Sequence, residues 1–103
     1  MKIIKELSEM IDDEIDGALC YSRKAVEWKT EAPKLADVLY ELSREELVHV
    51  TRLHDEVVNL IDDYRKVNGE PPKEMLAIYD YLHKKQIEKV SDVKRHQDIF
   101  KTM

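Results

Sequence analysis

Ser43-Arg44-Glu45-Glu46-Leu47-Val48-His49 decides how this chain is read. It sits inside a long apolar repeat of Leu35, Leu39, Leu42, then Glu46 and His49, then Leu53, Val57, Leu60, Tyr64 and Val67. The steps are threes and fours, the spacing that keeps one seam of a helix against a partner helix. Glu46 and His49 therefore stand where Leu is expected. Burying an unpaired charge there costs several kcal/mol. A bound cation would offset that cost.

Working towards the N-terminus, Ile4, Leu7, Ile11, Glu14, Ala18, Tyr21, Ala25 and Trp28 step by alternating threes and fours, which predicts a first helix over about 2–30. Glu14 is the only carboxylate in that seam, and Gly17 beside it would let a neighbouring backbone approach closely. Pro33 suits the first position of a second helix, about 33–67, which ends at Asn68-Gly69. Glu70-Pro71-Pro72 leads into a third helix over about 73–101. Its seam runs through Leu76, Tyr79, Leu82 or His83, Gln86 or Ile87, Val90, Val93, Gln97 and Phe100, thinner and wetter than the other two. Strand patterns, internal repeats and low-complexity tracts are lacking. The expected fold is all-α, one domain over 1–103: a long antiparallel hairpin plus a third helix.

A short link makes helices one and two antiparallel neighbours. Reflecting positions through the turn near 30–32 brings Glu14 level with residues 46–50, so Glu14, Glu46 and His49 should share one level on facing seams. Side chains at i and i+3 project from one helix face, which lets a carboxylate and an imidazole reach one metal. Oxygen ligands with one imidazole suit iron or manganese, with zinc as a substitute; the absence of thiolates argues against structural zinc. Glu-x-x-His alone is a weak signal. Its weight comes from the matching carboxylate on the other helix.

Composition bounds the rest. A net charge of −5 argues against a nucleic-acid binder that relies on phosphate contacts. Residues 1–71 hold 10 Lys/Arg against 17 Asp/Glu, net −7, whereas residues 72–103 hold 7 against 5, net +2. The acidic part is the part with the candidate ligands. No apolar run reaches the length of a membrane span and no signal-peptide core is present. Cys20 cannot form an internal disulfide, which points to a reducing, cytoplasmic setting and leaves the residue to packing.

Glu14 followed by Tyr21, then Glu46-Leu47-Val48-His49 on the next helix, resembles the first half of a ferritin-like di-iron site. The resemblance implies that the glutamates and the histidine ligate iron and that Tyr21 lies beside the centre. Full ferritins and rubrerythrins carry two such halves on four helices. Here His83 and His96 are preceded at that spacing by Asp80 and Val93, so the third helix offers no second Glu-x-x-His. One chain supplies half of the set. The simplest completion is a homodimer, two hairpins forming a ferritin-like four-helix bundle around shared metals.

The chain is most similar to the small encapsulated ferritins, across Glu14–Tyr21 and Glu45–His49. That resemblance implies ferroxidase activity, Fe(II) oxidised by O₂ at a centre between two subunits, and storage inside an encapsulin shell. The ending Asp98–Met103 shows no targeting extension for such a shell. A rubrerythrin-like peroxide reductase would use the same ligands with an external electron donor, and a helical scaffold would keep the hairpin without the chemistry. Four further readings concern neighbours. Glu56 could line an ion path; Glu45 and Asp13 border the site; His54 reads as a partly exposed surface residue. Asp92 and His96, four apart on the third helix, make a rival intrachain site with Glu46.

Overall fold

All 103 residues are described by a computed structural model, and nine-tenths of them are helical. Helix α1 spans Lys2–Trp28, α2 Pro33–Asn68 and α3 Lys73–Thr102. The molecule is a rod of 56 × 18 × 18 Å, its length set by the 36 residues of α2.

The turns follow local chemistry. Beyond Trp28, whose carbonyl accepts from Ala32 N–H at 2.9 Å, Pro33 opens α2 with a φ already helical and no N–H to waste. At the far end Gly69 takes φ 76°, which a side chain would resist, while its N–H donates to the Arg65 carbonyl at 3.0 Å. Buried Pro71 then turns the chain. The Pro72 carbonyl accepts from the N–H groups of both Met75 and Leu76 at 3.1 Å, opening α3.

Helix α3 runs back parallel to α1 and leans mainly on it. Gln86 Nε2 donates to the Ser8 carbonyl (3.3 Å) and hydroxyl (3.1 Å). Lys89 reaches Asp16, and Phe100 closes the other end against Ala25 and Ala36, its ring stacked on Tyr40 at 4.7 Å. Midway, buried Ser43 donates to the Ala18 carbonyl at 2.8 Å and accepts from Gln97 Nε2 at 2.9 Å. One hydroxyl thus links all three helices.

The buried seam is not the one expected. On α1 it is Ile4, Ser8, Ile11, Ile15, Ala18, Ser22 and Ala25. Leu7, Glu14 and Tyr21, alternate members of the expected repeat, are only half-buried, and Trp28 is exposed. On α2 the inner stripe runs Ala36, Tyr40, Ser43, Leu47, Val50, His54, Val57 and Ile61, one position away from the stripe that holds Glu46 and His49. The hairpin therefore has two adjacent apolar stripes. Helix α3 covers one. The other carries Leu7, Met10, Glu14 and Tyr21 on α1 and Leu35, Leu42, Glu46, His49 and Leu53 on α2, and nothing within the chain covers it.

Candidate metal centre

Uniform helical rise places Glu14 on α1 opposite Glu46 and His49 on α2. One ligand atom from each of the three lies within 4.8 Å of the others. His49 Nδ1 is 3.4 Å from Glu14 Oε2 and 3.8 Å from Glu46 Oε1. The side chains retain 31%, 22% and 49% of their exposure in the order Glu14, Glu46, His49, so the deep burial expected of this seam is absent from the single chain. Its cause is the position of α3, which sits on the other stripe.

The two carboxyl groups are close enough for a proton on Glu46 to donate to Glu14. That bond, then His49, holds Glu14 below the usual carboxylate range against an opposing effect of burial. The same bond, then burial and the charge of Glu14, pushes Glu46 up. The pair therefore resists carrying two full negative charges, a penalty that a divalent cation would relieve. The Glu46 carboxylate lies over Gly17, where a Cβ would stand 3.4 Å from Oε2, in ordinary contact. The close approach expected at Gly17 is made by this side chain and not by a backbone.

Two carboxylates and an imidazole would give a cation three ligands from this chain. The donor set fits a first-row divalent ion of the iron or manganese kind, and zinc also accepts it. Beside the triplet an open cleft of about 480 Å³ is lined by Met10, Glu14, His49, Arg52, Asp55 and Glu56 among others. Glu56 thus borders the approach to the ligands. Arg52 in the same cleft was not singled out by spacing, because a charged residue on an outer helical position carries no pattern.

Other candidates fall elsewhere. Tyr21, two turns further along α1, is half-buried and is not tied to the triplet by a hydrogen bond. Asp92 and His96 do not join Glu46: His96 Nδ1 donates to the Asp92 carbonyl at 2.8 Å, and the Asp92 carboxylate holds Arg95 at 2.6 Å. Glu45 and Asp13 are exposed. His54 belongs to the inner stripe, where its ring stacks on His83 at 4.6 Å. That contact was not legible because the seam of α3 could pass through either Leu82 or His83.

No family model, curated protein or solved structure matches the chain. The geometry therefore carries the functional argument by itself. No helix is long and apolar enough to cross a membrane.

Proposed function

We propose that this chain binds iron and oxidises Fe(II) with O₂, at a centre completed when two copies pair through their uncovered stripes into a ferritin-like four-helix bundle. The observation that carries the reading is the convergence of Glu14, Glu46 and His49 on that uncovered stripe. Three ligands point away from the chain's own core, flanked by apolar side chains that α3 leaves bare. A two-fold partner would supply the same three groups, giving four carboxylates and two imidazoles for two irons, and would bury Met10, Leu35 and Leu42.

In this reading the protein supplies ligands, geometry and access, while iron supplies the electrons. Each of two Fe(II) ions gives up one electron, and O₂ takes the pair with two protons to leave as hydrogen peroxide. Glu14, Glu46 and His49 would hold the iron, with Glu46 the candidate for a ligand shared between two ions. An arriving cation would relieve the mutual repulsion of Glu14 and Glu46. The acidic cleft around Glu56 and Asp55 favours approach of Fe(II) from solvent.

The test is turnover of Fe(II) under air by the wild type and by His49→Ala. Oxidation well above the uncatalysed rate in the wild type, lost in the variant, supports the reading. Faster oxidation with peroxide than with O₂ would move it to the peroxide-reducing class. Oxidation at the uncatalysed rate with either oxidant would leave the hairpin a scaffold.

A further inference from the structure

On the α3 side of the hairpin a second cleft of about 400 Å³ opens between α2 and α3, sharing no lining residue with the cleft beside the metal ligands. Its floor is apolar, made by Ile11, Val50 and Val90. Its polar wall consists of Thr51, His54, His83, Ser91 and Lys94, with Gln86 beneath, and no carboxylate lines it. That is unusual in a chain of net charge −5. Two acids beside the lining are engaged: Asp80 holds Lys84 at 3.0 Å, and Asp12 accepts from Gln86 Nε2 at 3.4 Å. Lys84, Lys89, Arg95 and Lys101 on α3 each hold a carboxylate, whereas Lys94, like Lys73 and Lys85, holds none; of these three only Lys94 lines the cleft.

The histidines are set for the same kind of guest. Tyr79, His83 and His54 form a run of flat rings, His83 lying 6.0 Å from Tyr79 and 4.6 Å from His54 with interplanar angles of 9° and 12°. His83 Nδ1 is buried without a partner. An orphaned buried N–H costs more than an orphaned ring acceptor, so the proton of the neutral ring belongs on Nε2. A neutral His83 would then carry its donor on Nε2, on a ring that lines the cleft. Burial and the neighbouring His54 depress the basicity of His83, a penalty that an incoming negative charge would relieve.

We propose that the cleft between α2 and α3 at His54, His83 and Lys94 binds a small organic carboxylate with a flat apolar body, the carboxylate on Lys94 and the imidazoles and the body on the apolar floor. The volume lies within the range of small-ligand sites, and an apolar surface with a few convergent polar groups is their usual make-up. The site is independent of the metal ligands and of any second copy of the chain.

Benzoate is the probe, with benzyl alcohol as its uncharged counterpart, both titrated into metal-free protein by calorimetry and by the ring signals of the four histidines. Benzoate should saturate at about one per chain, shift the His54 and His83 signals, and bind about tenfold or more tightly than the alcohol. Lys94 is exposed, so Lys94→Gln should fold normally. It should weaken benzoate about tenfold and leave the alcohol unchanged. Equal affinity for the two probes, an unchanged benzoate affinity in Lys94→Gln, shifts at His49 in place of His54 and His83, or no saturable binding up to about 10 mM would overturn the proposal.

Discussion

Replacing Glu46 by Gln separates a ligand from a structural partner, because the two roles require opposite changes in stability. In the metal-free protein Glu46 is pushed above its ordinary value by its bond to Glu14, by burial and by the charge of Glu14. A raised folded pKa contributes stability that is full below the unfolded value of 4.5 and is lost as pH rises through the folded one. Near neutrality the crowding of Glu14 and Glu46 is therefore a cost. Gln removes it, and its amide N–H can still donate to the Glu14 carboxylate. Glu46→Gln should leave the apo protein as stable as wild type or firmer by up to about 1 kcal/mol.

The metal response should change far more. A cation that binds only the folded state at about 100 times its dissociation constant stabilises by about 2.7 kcal/mol, worth roughly 10–20 °C in a domain of this size. Thermal unfolding with and without Mn(II), a redox-stable stand-in for Fe(II), measures both effects on one preparation. Wild type should rise by that order and Glu46→Gln by little. A variant destabilised by about 1–3 kcal/mol, with no Mn(II) response in either protein, would show that Glu46 serves only as a hydrogen-bonding partner and would refute the reasoning.

Other consequences follow from the two stripes. Ser43→Ala leaves the buried Gln97 amide without its acceptor, and should cost about 1–3 kcal/mol in chemical denaturation while the Mn(II) response persists. Met10 is half exposed on the uncovered stripe, so Met10→Glu should change the stability of a monomer by less than about 0.5 kcal/mol yet shift the molecular mass by light scattering from dimer to monomer. His83 is held below its ordinary 6.5 by burial and then by His54, and a depressed folded pKa gives stability that is full above 6.5 and lost as pH falls through the folded value. Urea midpoints should therefore fall between about pH 7 and about pH 5, and His83→Phe should flatten that slope.

The helices and the hairpin register could be read from the chain because their causes are local. Pro33 and Gly69 mark the turns through backbone conformation alone, and a constant helical rise lets reflection through the first turn place Glu14 beside Glu46 and His49. What could not be read was which stripe the third helix covers. Ser8, Ser22 and Ser43 look like surface residues in a sequence, yet each engages another group inside the bundle: Ser8 with Gln86, Ser22 with the Leu19 carbonyl, Ser43 with Ala18 and Gln97. Small and already bonded, they let the helices approach. Leu7 and Tyr21 look like core residues and instead lie on the stripe left bare. The same one-position shift leaves Glu14 and Glu46 half-buried and His49 exposed, while His54, partly exposed as expected, stacks on His83.

Anaerobic titration of Fe(II) into the purified protein, with molecular mass followed in the same samples, tests the shared centre most directly. Two chains that pool Glu14, Glu46 and His49 should bind about one iron per chain, saturating in dimers or larger assemblies, with Met10→Glu losing both the assembly and the tight site. A monomer that binds iron as tightly as the wild type, or a dimer that binds none, would contradict the account.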